Sequence, residues 1–298
     1  MHIGFVGLGS MGGALARRLQ LTHRLHVFDR SPAAVEALVK EGAVGCTSLQ
    51  QLASSCDVIL LCLPTSTHVQ EAIFGPQGIA EGTRPGTLII DQTTGDPKVT
   101  RQIAEQLAQA EVALIDAPVS GGAQGAQAGT IAIMVGASPA LYERALPVLR
   151  DISPNIFHAG EVGAGQVIKL VNNLLSGAQR LLTMEAVALA VKNGLDPEVA
   201  CDILLSGGAK NAFLEKFMAP HVIKGNLSPG FTLGLMHKDV RLACQLASDS
   251  GVPLYFGSVA REFYQMCISE QGADAQVHTA ALVFDKLAGT QVVPPISQ

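Results

Sequence analysis

The sequence predicts an α/β chain in two parts: a doubly wound, mostly parallel sheet, then an all-α C-terminal domain beginning with a long helix. Three observations carry this reading. Short apolar runs alternate with helix-patterned segments in the first half. Each run stops at a Gly, Pro or Asp. From about Gly165 onward the apolar residues recur only at helical spacing.

Taken in order, His2 to Val6 reads as the first strand and ends at Gly7, with Met11 to Gln20 following as a helix. Leu25 to Phe28 is strand and stops at Asp29; Pro32 to Glu41 is helix, with Ser31 as N-cap and Pro32 in its first turn. Val58 to Leu63, Thr87 to Ile90 and Val112 to Ile115 are fully apolar and stop at Pro64, Asp91 and Asp116, with helical stretches such as Lys98 to Ala110 between them. Strands alternating with helices imply a parallel sheet covered on both faces, with ligands at the carboxyl ends of its strands. Gly7, Asp29, Pro64, Asp91 and Asp116 fall at those ends. Three glycines between Gly160 and Gly165 mark the change of character. Gln166 to Asn193 then reads as one helix closed by Gly194, followed by Pro197 to Leu205, Lys238 to Ser250, Val259 to Glu270 and Gln276 to Leu287. The expected domains are residues 1–162 and 163–298, with a loose tail at Val292-Val293-Pro294-Pro295.

Composition narrows the function. With 298 residues, 48% hydrophobic and only 15% charged, the chain can bury a large core. A net charge of -5 without a dense Lys/Arg run argues against nucleic acid and anionic membranes as partners. The apolar runs read as too short and interrupted to span a bilayer. The six cysteines form no Cys-x-x-Cys pair and read as buried free thiols of a reducing compartment, so the cytoplasm is expected. The histidines show no metal-ligand spacing, and no Gly-x-Ser-x-Gly elbow occurs.

Gly7-x-Gly9-x-x-Gly12, spanning Gly7, Leu8, Gly9, Ser10, Met11 and Gly12, follows a strand and opens a helix. The first glycine permits the tight turn, the second lets backbone approach a pyrophosphate, and the third lets helix pack on strand. The helix N-terminus then faces the phosphate charge. Asp29 lies 20 residues after Gly9, at the end of the second strand. Together these form a Rossmann-type dinucleotide signal. Asp29 would accept from the ribose hydroxyls of NAD and repel a 2′-phosphate; Arg30 could hold that phosphate, so NAD is favoured and NADP stays open.

A dehydrogenase also moves a proton, so a base must sit beside the substrate hydroxyl. In Gly163 to Asn173, helical spacing puts Gln166, Lys169 and Asn173 on one face, with Leu170, Val171, Leu174 and Leu175 on the other side. A solvated polar face fits the same spacing, but the stripe carries amides and no carboxylate beside Lys169. A desolvated lysine near a nicotinamide cation would have a lowered pKa. Ser120, Gly121 and Gly122 follow a strand end and could cradle a carboxylate, or form a flexible loop. Asp91-Gln92-Thr93-Thr94 could contact the nicotinamide or its ribose, or cap a helix before Pro97. Lys238-Asp239 could place a cation at the cofactor, or cap the next helix with Asp239.

Taken as an ordered set over nearly the whole chain, these segments resemble the β-hydroxyacid dehydrogenases, the group of 3-hydroxyisobutyrate dehydrogenase and the small semialdehyde reductases. The family's cofactor motif matches Gly4 to Gly12, and its Leu-Pro segment matches Leu63-Pro64. Its Asp-x-Ser-Thr segment matches Asp91 to Thr94, with Thr93 in place of serine. Its substrate loop matches Asp116 to Gly122, its Gly-Thr matches Gly129-Thr130, its catalytic helix matches Gly163 to Asn173, and its late Lys-Asp matches Lys238-Asp239. His68 stands where Asn is frequent.

The resemblance implies Lys169 as catalytic acid/base, and Ser120, Gly121 and Gly122 on the substrate carboxylate. It implies Asn173 orienting substrate and lysine, Phe231 closing the site, and Leu63, Pro64, Thr94 and Lys238 near the cofactor. It also implies homodimers or homotetramers. Glyoxylate, succinic semialdehyde and tartronate semialdehyde reduction suit the same motifs. An imine reductase shares the architecture but usually lacks the lysine; a non-catalytic nucleotide-binding module would be expected to lose it too.

Overall fold

The computed structural model describes residues 1–295. Its contacts divide the chain into two compact units, Met1–Lys169 and Leu170 onward, a division that falls within one helix.

In the first unit the elements are β1 (Ile3–Val6), α1 (Ser10–Leu19), β2 (Leu25–Phe28), α2 (Pro32–Lys40), β3 (Val44–Gly45), α3 (Leu49–Ser55), β4 (Val58–Leu61), α4 (Ser66–Phe74), α5 (Ile79–Gly82), β5 (Leu88–Asp91), α6 (Pro97–Ala108), β6 (Ala113–Asp116), β7 (Val119–Ser120), α7 (Gly122–Ala128), β8 (Ala132–Gly136), α8 (Pro139–Ile152) and β9 (Ile156–Gly160). The strand order β3-β2-β1-β4-β5-β6-β8-β7, with β9 beside β8, is the doubly wound Rossmann-type arrangement. Pairing is parallel from β3 through β6 and antiparallel where β8 meets β6 and β7. The central strands read as unbroken apolar runs because both faces are buried. Phe5, Leu60 and Ile90 point into one core with Leu15 of α1 and Leu149 of α8. Ile59, Leu61 and Ile89 point into the other with Leu52 of α3 and Ile103 of α6.

The corner beyond β6 differs from expectation. Residues 117–160 carry β7, α7, β8, α8 and β9, none of which the apolar-run reading identified. These strands take their place from pairing with β6 and with each other, which a local window does not register.

Across the division runs α9 (Ala164–Lys192), a single 29-residue helix. By length and composition alone it could cross a membrane, which corrects the view that no run was long enough. The second unit continues with α10 (Pro197–Ser206), a π-turn at Leu214–Met218, a 3₁₀ turn at Val222–Lys224, α11 (Leu233–Ser250), α12 (Tyr255–Gln271), a 3₁₀ turn at Val277–Thr279 and α13 (Ala280–Ala288). Its core gathers Met184, Leu214, Leu233, Val240, Tyr264 and Phe284 among others.

Two further expectations fail here. α11 begins at Leu233, not Lys238, because the Thr232 side chain accepts from the Leu235 N–H and caps it there, so Asp239 is mid-helix and caps nothing. Val292 and Val293 are buried rather than loose, their N–H groups donating to the Asp285 carboxylate at 2.8 and 3.0 Å.

Candidate active site

The first unit supplies a dinucleotide cradle at the carboxyl ends of β1 and β2. Gly7 has φ +90, and a Cβ there would strike the Cys62 carbonyl and the Leu63 side chain. A Cβ on Gly12 would collide with the Gly7 carbonyl oxygen, so helix α1 can start this close to β1 only with glycine. Around Gly9 the opposite holds: a Cβ meets nothing within 4 Å. Gly9 is the N-cap of α1 and offers no side-chain cap, so the first-turn N–H groups face open space in the manner that fits a pyrophosphate. Ser10 is exposed and Met11 half-buried beside this opening. Asp29 is brought to the same turn, its carboxylate accepting from the Leu8 and Ser31 N–H groups, each at 2.7 Å. Each oxygen keeps a second acceptor direction for a ribose hydroxyl. Arg30 is exposed next to it.

The next strand ends are tied together. The Leu63 N–H donates to Thr93 Oγ1 at 3.0 Å, joining the Leu63-Pro64 segment to the segment after β5. Asp91 accepts from the Thr93 N–H at 2.9 Å, so that segment is a local turn, and the cap before Pro97 is Asp96 instead. Thr94 and Pro64 flank this knot, half-buried and exposed respectively. His68 sits in the first turn of α4, its Nδ1 2.7 Å from the Thr65 hydroxyl that caps that helix.

Asp116 organises the start of α9. Fully buried, it accepts from the Gly163 N–H at 2.6 Å and the Gln166 N–H at 2.7 Å. Burial pushes its carboxyl up to about 6, against the pull of those N–H groups and of Arg101. A Cβ on Gly165 would approach both the Met134 carbonyl and this carboxylate, which accounts for glycine at that position. Gln166, also buried, donates from Nε2 to the Thr93 carbonyl at 2.7 Å and accepts from the Gly95 N–H at 2.9 Å. The first turn of α9 is thereby fastened to the ends of β5 and β6, and Lys169 follows three residues later, only 7% exposed. Ser120, Gly121 and Gly122 lie where β7 passes into α7; both glycines are exposed and take positive φ.

In the second unit, Asn173 is buried on α9 and donates from Nδ2 to Asp239 Oδ2 at 2.6 Å. Lys238 Nζ lies 3.0 Å from Asp239 Oδ1, so α11 brings the Lys-Asp pair to Asn173. Phe231 is half-buried just before α11, its carbonyl accepting from the Val277 N–H at 2.8 Å. The α9 stripe is therefore not a solvated polar face. Gln166, Lys169 and Asn173 are buried, while Val171 and Leu175 on the other side are 47% and 68% exposed. Sequence reasoning missed the roles of Asp116 as anchor and Asp239 as partner of Asn173. A strand-terminal Asp was the only signal for the first, and a misplaced helix start hid the second.

Residues 2–160 match the family described as the NAD-binding domain of 6-phosphogluconate dehydrogenase, and residues 163–284 that described as NAD-binding of NADP-dependent 3-hydroxyisobutyrate dehydrogenase. A 2-(hydroxymethyl)glutarate dehydrogenase of Eubacterium barkeri is 38% identical, the match covering 89% of this chain and 88% of that one. A 3-hydroxyisobutyrate dehydrogenase of Pseudomonas aeruginosa is 39% identical over 89% of this chain and 91% of its own. The solved structure of the Mycobacterium tuberculosis 3-hydroxyisobutyrate dehydrogenase with L-serine superposes with TM-score 0.84 at 30% identity, over 95% of this chain and 99% of that one.

Proposed function

The chain belongs to the β-hydroxyacid dehydrogenase family, and from that premise we propose that it interconverts a small β-hydroxyacid and its semialdehyde with NAD(P), using Lys169 as acid/base. The observation that carries the lysine assignment is its burial on a helix whose first turn Asp116 and Gln166 fasten to the sheet ends. A lysine held this way gains proton-transfer use that a solvated one lacks.

When bound, the nicotinamide accepts or supplies the hydride. The chain supplies the rest. The α1 N-terminus and the open Gly9 receive the pyrophosphate, and Asp29 accepts from the adenosine ribose. Ser120, Gly121 and Gly122 grip the substrate carboxylate. Lys169 takes the hydroxyl proton during oxidation and returns it during reduction. Asn173, one turn further along α9 and oriented by Asp239, positions the substrate hydroxyl. Phe231 covers the substrate, and Leu63, Pro64, Thr94 and Lys238 line the cofactor. NAD is the preferred cofactor because the Asp29 charge opposes a 2′-phosphate, while Arg30 keeps NADP within reach.

The substrates named for the two curated relatives above share the core HOCH₂–CH(R)–COO⁻ and differ in R, and we place this chain's substrate in that class. The relatives also include a 2-hydroxy-3-oxopropionate reductase of Escherichia coli, so reduction of such a semialdehyde belongs to the same assignment. We also infer a homodimer or homotetramer, supported by the exposed leucines at 175, 182 and 189 along α9, and a cytoplasmic location, supported by free cysteines.

The test follows nicotinamide absorbance across a panel of hydroxyacids and semialdehydes with NAD and NADP. Lys169→Ala should lose roughly 10²- to 10⁴-fold in kcat while still binding cofactor. Equal activity in both proteins would remove the lysine from the mechanism.

A further inference from the structure

Two consecutive asparagines stand inside α9, although Asn is a poor helix former beside Ala or Leu. Asn173 has its place in the site proposed above; Asn172 has none. Asn172 is half-buried, and its Nδ2 donates to Asn173 Oδ1 at 2.9 Å. Successive helix residues point about 100° apart and do not ordinarily face one another. The contact therefore requires the Asn172 side chain to lean across toward its neighbour.

The amide of Asn173 is thus held at both ends. Its Nδ2 donates to Asp239 Oδ2 at 2.6 Å, and its Oδ1 accepts from Asn172. Asp239 is 2% exposed, and its other oxygen lies 3.0 Å from Lys238 Nζ. A carboxylate paired with a lysine only accepts, and an NH₂ group only donates. Turning the Asn173 amide over would set its oxygen against the Asp239 carboxylate and its NH₂ against that of Asn172. Both contacts would then repel. The run Asn172, Asn173, Asp239, Lys238 is satisfied in one orientation of the central amide.

Burial makes that orientation matter. Asn173 is 8% exposed, so solvent does not readily replace a partner it loses. An amide free to turn over would present donor and acceptor in alternation to a substrate hydroxyl. A reacting group is met efficiently only by a neighbour whose own geometry is fixed by supporting contacts. Asp239 fixes the donor end of Asn173, and Asn172 fixes the acceptor end.

We propose that Asn172 is a positioning residue of this enzyme: it locks the Asn173 amide from the side opposite Asp239, and it acts on the reaction through Asn173 alone. This rests on the substrate role given to Asn173 above. Asn172 itself moves no proton and holds no substrate. It keeps the orientation of Asn173 the same in every turnover.

The experiment measures kcat, KM and affinity for NAD in the wild type, Asn172→Leu, Asn172→Asp, Asn173→Ala and the double variant Asn172→Leu/Asn173→Ala. Leu keeps the size of Asn without donor or charge, and as the better helix former it should leave the fold intact. Asp keeps the shape and, when ionised, has no donor. Each single change at Asn172 should lower kcat roughly tenfold, as expected for a lost buried hydrogen bond, with the affinity for NAD unchanged. With Asn173 already replaced by Ala, Asn172→Leu should lower kcat no further, because two residues acting as one unit are not additive. A wild-type kcat in either Asn172 variant, or an undiminished loss in the Asn173→Ala background, overturns the inference and leaves the proposed function standing. A wild-type kcat in Asn173→Ala removes the role on which the inference rests, and the inference with it. If the wild type turns over no hydroxyacid or semialdehyde, the proposed function falls instead. The side-chain amide signals of Asn173, followed by NMR with isotope-labelled asparagine, then decide the lock alone. Signals that shift or broaden in Asn172→Leu uphold it, and unchanged signals remove it.

Discussion

Asp116 touches neither cofactor nor substrate in the scheme above, yet it holds the helix that carries Lys169, and its ionisation can be followed. Its carboxyl rises from 3.8 to about 6 on folding, with burial as the leading cause. The folded state therefore binds more protons than the unfolded state between those values. Ionising Asp116 removes stability as pH rises through that window, by about 3 kcal/mol in all. That figure is already net of the two hydrogen bonds from the Gly163 and Gln166 N–H groups, each worth about 1.5 to 3 kcal/mol because the acceptor is charged. The charged form fastens both N–H groups; a protonated carboxyl retains one good acceptor and turns its O–H toward the other donor. Arg101 is the charged side chain that favours the ionised form.

The perturbation is Asp116→Asn, and the assay is semialdehyde reduction between pH 5 and 8. In that direction Lys169 must carry its proton, so an acid limb does not belong to the lysine. The wild type should lose kcat as pH falls through about 6, while Asp116→Asn should be slower throughout and lack that limb. Urea unfolding of both proteins should show the wild type losing stability relative to the variant from pH 4 to 7. An identical acid limb in the variant, or a difference in stability of the opposite slope, would refute the reasoning.

Three further outcomes follow from the same contacts. Gly12→Ala drives a methyl into the Gly7 carbonyl, so dinucleotide binding measured by calorimetry should weaken at least tenfold or so, with a lower melting temperature. Asp29→Ser removes the charge facing a 2′-phosphate, and the NADP-to-NAD ratio of kcat/KM should rise roughly tenfold or more, a null result arguing that Arg30 or another group sets the preference. Gln166→Leu strands the Gly95 N–H and the Thr93 carbonyl, and should cost about 2 to 5 kcal/mol in urea unfolding, with kcat falling more than the affinity for NAD.

By itself the sequence determined what depends on neighbours along the chain. The alternation from His2 to Asp116, the Gly7 to Gly12 turn, the long helix after Gly163 and the shared face of Gln166, Lys169 and Asn173 were all legible, because strand and helix periods and turn chemistry act over a few residues. Only the tertiary structure decided that this face is buried and not solvated, that β8 reverses direction against β6, and that α11 starts at Leu233. The same holds for the contacts that organise the site. Asp116 reaches Gly163 and Gln166, Gln166 reaches Thr93, and Asn173 reaches Asp239 across sequence separations of 47, 50, 73 and 66 residues. Nothing in the local sequence marks Arg180, around which the fold wraps Phe213, Phe217 and Tyr264. A side chain's desolvation and its hydrogen-bond partners are set by the segments that pack over it, and no local pattern in the chain encodes which segments those are.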